Sequence, residues 1–264
     1  MMEEIMKYWL LSLSLLLTLS ISAEAKLVTQ TVDYKHGDVA LEGYLAYDDS
    51  FKAPRPGVLV IHEWTGLGKY AMKRADMLAQ LGYVAFAIDM YGKGIRPTTP
   101  EEAGAQAGIY RKDRPLMRAR AQAGLSVLAS NKMVDPKKIA AIGYCFGGGT
   151  ALELARSGAD LAGVVSFHGT LDTPNPADAK SIKGKILVCH GAADPYVTQE
   201  AVTNFQKEMA DAGTDWQLIQ YGGAVHSFSN PDSGNDPSKG AAYNENADKR
   251  SWQAMKQFFE EIFK

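Results

Sequence analysis

The sequence predicts an α/β fold: a mostly parallel central sheet with helices on both faces, entered through an amino-terminal hairpin. Two observations carry the prediction. Short apolar runs of strand length alternate with longer helical segments through most of the chain, the pattern of βαβ units. One run, Gly57 to His62 (GVLVIH), is apolar without alternation, as a strand covered on both faces must be. The 264 residues, 46% hydrophobic and 22% charged, are enough for one large globular core.

The first 25 residues stand apart. Lys7 precedes an uncharged apolar run from Tyr8 to Ile21, closed by Ala23-Glu24-Ala25. A basic residue, a short apolar core and an A-x-A site make a secretory signal peptide, too short for a comfortable membrane span. The acidic pair Glu3-Glu4 is atypical there and leaves Met6 as an alternative start. Cleavage after Ala25 leaves residues 26–264 as a single domain, periplasmic or secreted, with no stable membrane insertion. That segment has balanced charge and no basic run, so it lacks the footprint of a nucleic-acid or anionic-membrane binder.

Within it, Leu27 to Tyr34 and Val39 to Tyr47 flank His36-Gly37-Asp38 and read as the hairpin. After the strand ending at His62 comes a helix near Lys69 to Leu81, then a strand from Tyr83 to Asp89. A helix-rich stretch spans Pro100 to Ser130. Strand Ile139 to Gly143, helix Gly147 to Arg156, and strands Leu161 to Phe167 and Lys185 to Cys189 follow. Helix Gln199 to Ala212, strand Trp216 to Tyr221 and a terminal helix from about Ala241 complete the order. Breaker-rich loops are expected at Asp172 to Pro176 and Asn230 to Gly240.

In an open parallel sheet, function gathers beyond the carboxyl ends of the strands. Those ends carry His62-Glu63-Trp64, Asp89-Met90-Tyr91-Gly92-Lys93, Cys145, His190-Gly191-Ala192-Ala193-Asp194 and, after Tyr221, His226. Gly143-Tyr144-Cys145-Phe146-Gly147 has the shape of a nucleophile elbow, with sulfur in place of a hydroxyl. Nucleophile, acid and histidine then follow in the order of α/β-hydrolase triads, 49 residues from Cys145 to Asp194 and 32 more to His226. The elbow needs small neighbours because strand and helix approach closely, and the helix amino end beside Cys145 favours a thiolate. His226 would hold or return the proton, and Asp194 would orient the imidazole. The backbone N–H groups of Phe146 and Trp64 are candidates for an oxyanion hole.

Competing readings stand beside these. Cys145 and Cys189 in an exported chain invite a disulfide, but strand-end cysteines on non-adjacent strands exceed the ~7 Å Cα limit, so both are expected to be free. His62 and His190 read as satisfied strand-end histidines and His36 as a solvated turn residue. His168 either lines the pocket or does not. The histidines show no H-x-H or H-E-x-x-H spacing, so no metal site is expected, and no cofactor is implied. Tyr91, Trp64, Tyr196 and Phe228 either line an aromatic pocket or simply pack. Glu63, a carboxylate on an apolar strand apex, either caps a helix, pairs with Lys93 or an arginine, or faces the thiol.

Together these residues resemble the dienelactone hydrolase family of α/β hydrolases, whose nucleophile is a cysteine. The matching pieces are His62 to Leu67, Asp89-Met90-Tyr91, Gly143 to Gly148, His190 to Asp194, His226-Ser227-Phe228 and the carboxyl-terminal Ser251 to Phe259 segment. The resemblance implies an α/β-hydrolase fold, a Cys145-His226-Asp194 triad, and Glu63 as a carboxylate that takes the thiol proton once substrate binds. It further implies an acyl-enzyme, a small ester or lactone as substrate, and Tyr91, Lys93, Ser227 and Phe228 around it. The family's dienelactone-cleaving members bind a substrate carboxylate with arginines; here Asn230 and Lys93 stand at those positions, which argues against an anionic dienelactone. Other readings are a redox sensor or ligand-binding protein on a hydrolase scaffold, and a peptidase or acyltransferase using the same triad.

Overall fold

A computed structural model describes residues 26–264; the expected signal peptide lies outside the described residues. The elements run β1 (Leu27–His36), β2 (Val39–Asp48), β3 (Arg55–Ile61), α1 (Lys69–Gln80), β4 (Val84–Ile88), α2 (Pro100–Lys112), α3 (Arg114–Ala129) and β5 (Val134–Tyr144). Then come α4 (Phe146–Arg156), β6 (Gly163–Phe167), β7 (Lys185–Gly191), α5 (Gln199–Ala212), β8 (Trp216–Tyr221) and α6 (Glu245–Ile262). One eight-stranded sheet has the order β1-β2-β4-β3-β5-β6-β7-β8. The β1–β2 and β2–β4 pairs are antiparallel and every later pair is parallel.

The unbroken apolar run of β3 is explained by its two covers. Leu59 and Ile61 face a core shared with α3, α4 and α5 through Met117, Leu152 and Phe205. Val58 and Val60 face a second core, shared with α1 and α6 through Leu78, Met255 and Phe259. All four β3 side chains are fully buried. Strand order reverses around β3, which lies between β4 and β5, so the chain segments leaving β3 and β5 open the crevice where ligands of such sheets bind.

Several boundaries differ from the sequence expectation for identifiable reasons. β5 begins at Val134 rather than Ile139, and its register with β3 shifts between Arg55 and Gly57, where Pro56 and Pro136 cannot donate to the ladder. The helix-rich stretch is two helices: Asp113 ends α2 and caps α3 by accepting from the Leu116 amide, with Pro115 in the new first turn. α6 starts at Glu245, capped by Asn244, and not near Ala241. Ala241 instead forms a parallel bridge with His226, and the Ala242 amide donates to the His226 carbonyl. β7 continues to Gly191, so His190 lies within the strand.

Candidate active site

Cys145 is the single residue between β5 and α4, with φ 53° and ψ −115°. That strained backbone lifts the side chain off the sheet. A Cβ on Gly143 would collide with the Gly147 carbonyl, and one on Gly147 with the Ile61 carbonyl, so both glycines are required by contact. The Cys145 carbonyl accepts from the Gly148 and Gly149 amides, while the Phe146 amide, at the first helical position, has no helical partner. Cys145, just after β5, and Cys189, within β7, are both free, and β6 separates the two strands.

The turn after β7 carries Asp194. Its Oδ1 accepts from the Tyr196 amide at 2.8 Å, and its Oδ2 accepts from His226 Nδ1 at 2.8 Å. His226 is fixed through its backbone as well, donating to the Gly240 carbonyl. Burial disfavours a charged imidazole here. The bond to Asp194 and the neighbouring Cys145 sulfur override burial, and the His226 pKa rises from 6.5 to about 10. Cys145, His226 and Asp194 thus form a contiguous chain of thiol, imidazole and carboxylate.

Glu63, just past β3, meets the same loop. Asn230 Nδ2 donates to its Oε2 at 2.7 Å, and Ser227, held at φ 54°, lies 3.5 Å from Oε1. Burial raises the Glu63 carboxyl above its ordinary 4.5; the Asn230 and Ser227 bonds and the nearby His226 and Arg74 charges pull the other way without cancelling it. No ion pair reaches Glu63 among the described residues. Of the sequence alternatives, it neither caps a helix nor pairs with Lys93. Trp64 follows it, its carbonyl accepting from the Tyr91 hydroxyl at 2.8 Å. A polar cavity of about 460 Å³ opens beside these groups, lined by Glu63, Trp64, Lys69, Ser227, Asn230 and Ser233. A larger groove of about 710 Å³ between β1 and α3 touches none of them.

The remaining sequence candidates divide. Tyr91 is buried, bracing Trp64 rather than presenting its hydroxyl to the cavity. Phe228 is fully buried against His168 and Tyr221, and so belongs to the core instead of a substrate wall. Lys93 extends to Asp33 at 2.7 Å and Glu42 at 3.2 Å on the hairpin, away from Glu63. Tyr196 is exposed and packs edge-on against His226 at 5.3 Å. His62 is a satisfied histidine: Met90 donates to its Nε2, Nδ1 bonds the Glu63 carbonyl, and burial lowers its pKa to about 4. His190, buried in β7, leaves Nδ1 without a partner, unlike the satisfied residue expected. His36 is no free turn residue, since Arg120 Nε donates to it at 3.1 Å.

Of two residues beside the thiol, the sequence left His168 open as lining the pocket or not, and Ser229 went unread. His168 Nδ1 accepts from the Cys145 amide, and Ser229 meets His168 Nε2. Only the polar density of His226-Ser227-Phe228-Ser229-Asn230, directly after the triad histidine, could have flagged that segment.

Known proteins bear on this arrangement. The dienelactone hydrolase family pattern matches residues 41–263. A solved protein described as a dienelactone hydrolase-like promiscuous phosphotriesterase from metagenomic libraries is 42% identical, with a TM-score of 0.86 over 90% of this chain and 99% of that one. Another, designated m3DLH, is 41% identical with a TM-score of 0.87 over the same shares. The protein usf of Aquifex pyrophilus is 31% identical over 206 residues, 76% of this chain and 87% of its own.

Proposed function

Since this chain belongs to the dienelactone hydrolase family, and so to the carboxylic ester hydrolases, we propose that it cleaves small neutral esters or lactones through a Cys145 acyl-enzyme, after export from the cytoplasm. The observation that carries the reading is the Asp194–His226 bond with Cys145 on the other side of the imidazole. Glu63 takes the thiol proton while His226 stays an imidazolium, and Sγ attacks the substrate carbonyl carbon. The Phe146 and Trp64 amides receive the developing oxyanion. The imidazolium protonates the departing oxygen as the C–O bond breaks, leaving a thioester. Water, deprotonated by His226, then attacks; the C–S bond breaks and the thiol recovers its proton.

The preference for neutral substrates rests on Glu63. Its partner is the amide of Asn230, no guanidinium pairs with it directly among the described residues, and Lys93 is engaged on the hairpin. A substrate carboxylate would enter beside the Glu63 carboxylate, to which Asn230 brings a hydrogen bond but no charge. Neutral phosphotriesters suit the same cleft, in keeping with the description of the 42% identical relative. Export rests on the amino-terminal sequence alone.

The test is rapid-mixing turnover of p-nitrophenyl esters, a neutral lactone and a phosphotriester, with intact-mass detection of the acylated chain. A burst matching the enzyme concentration, and its loss in Cys145→Ala, is expected. Turnover that survives in Cys145→Ala would remove the thiol from the mechanism.

A further inference from the structure

Among the described residues, three non-glycine residues hold a left-handed φ: Cys145 at 53°, His168 at 40° and Ser227 at 54°. Such backbone is costly for L-residues and persists where surroundings enforce it. All three lie in the candidate site, and one polar chain connects two of them. The Cys145 amide donates to the Phe167 carbonyl at 3.0 Å and also to His168 Nδ1 at 3.2 Å. A ring nitrogen that accepts carries no proton, so His168 bears its hydrogen on Nε2 and donates it to Ser229 Oγ at 2.7 Å. Ser229 is tied in turn to α1: its Oγ meets the Tyr70 hydroxyl at 2.7 Å, and its carbonyl accepts from Arg74 at 2.7 Å. His168 is fully buried, which pushes its pKa well below 6.5, and its own amide is held by the Cys189 carbonyl. The ring also stands edge-on to His226, centroids 5.4 Å apart.

We propose that His168 is a positioning residue for the nucleophile: its Nδ1, oriented by Ser229, holds the Cys145 amide and fixes the strained turn that aims Sγ at His226. It touches no reacting atom and acts through the backbone of the residue that does. The segment His226 to Asn230 thereby reaches both proton-accepting groups and the nucleophile's main chain. His226 and Asn230 supply the imidazole and the Glu63 bond, and Ser229 governs His168. The inference rests on the thiol-hydrolase reading above.

Two substitutions separate its parts. In His168→Asn, Oδ1 replaces the Nδ1 acceptor, tolerates the positive φ, and loses the reach to Ser229. In His168→Gln, the longer amide keeps a donor near Ser229 and removes the acceptor facing Cys145. Both are assayed for kcat and KM on a p-nitrophenyl ester, and for the pH profile of Cys145 alkylation by iodoacetamide. Cys189, with its thiol pushed up to about 12 by burial, stays silent, and Cys145→Ala is the blank. The Gln variant should lose about ten-fold in kcat with KM nearly unchanged, the effect of one hydrogen bond, and its alkylation profile should move. The Asn variant should stay within about three-fold of wild type in both readouts, because the bond to Cys145 is retained. Ser229→Ala, a milder change, should shift kcat in the same direction as Gln if either variant folds poorly. Equal losses in Asn and Gln, or an unmoved alkylation profile in Gln and Ser229→Ala, would overturn the assignment. A wild-type protein without a burst would instead defeat the thiol-hydrolase reading itself.

Discussion

At the scale of single residues, the proposed mechanism makes the imidazole of His226 set the pH range of the reaction. Its pKa of about 10 keeps it cationic well past neutrality, so the group that protonates the departing oxygen is lost only as pH rises through about 10. The same shift stabilises the fold: the contribution is complete below 6.5 and disappears as pH rises through the folded value. Glu63 is displaced upward by burial, so the acid limb of kcat/KM should lie above 4.5 and should move in Glu63→Gln. Stopped-flow rates from pH 4 to 11 check both limbs; an alkaline limb near 6.5 would contradict the Asp194–His226 coupling. The elbow pattern and the order nucleophile, acid, histidine pointed to the three groups the fold brings together, because strand ends and turn glycines leave a sequence trace. Lys93 and Phe228 were misread for a physical reason. Their positions along the chain were clear, but the direction of a side chain at a strand end depends on hairpin and helix neighbours that arrive from elsewhere. The role of Asn230 toward Glu63, 167 residues away, has no local signal at all.

At the scale of elements, the passage from β5 to α4 is governed by close approach. The Cβ of a residue at position 147 would lie against the Ile61 and His62 carbonyls, backbone atoms that cannot turn aside. Gly147→Ala should therefore cost about 1–3 kcal/mol in urea unfolding and depress turnover, since β3 and Trp64 must shift with it. Gly108→Ala in α2, where an added Cβ meets nothing within 4 Å, should raise stability by about 0.5–1 kcal/mol and serves as the control. Element type and order were legible throughout, since apolar runs and helical periodicity are local. Boundaries moved where another force claimed the residues: prolines in the β3–β5 ladder, the double cap at Asp113, and the bridge that draws Ala241 to His226 in place of α6.

At the scale of the whole molecule, the sheet places Glu63 and Cys145 after neighbouring strands, while Asp194 and His226 come from its far end. β1 begins at Leu27, and the Lys26 carbonyl already accepts from the Asp49 amide. Cleavage after Ala25 would therefore leave the hairpin whole, and amino-terminal sequencing of protein from the periplasmic fraction should begin at Lys26. A start upstream of Lys26 would refute cleavage after Ala25, and retention in the cytoplasm would refute export. The bridge between His226 and Ala241 has a bearing on timing. A growing or translocating chain presents its cysteine more than halfway along, yet the histidine finds its seat only when Gly240 and Ala242 have emerged behind it. Until nearly the last helix is free to fold, the sulfur has no imidazole to serve it. A hydrolase built in this order remains inert during synthesis and becomes reactive only once it has finished folding.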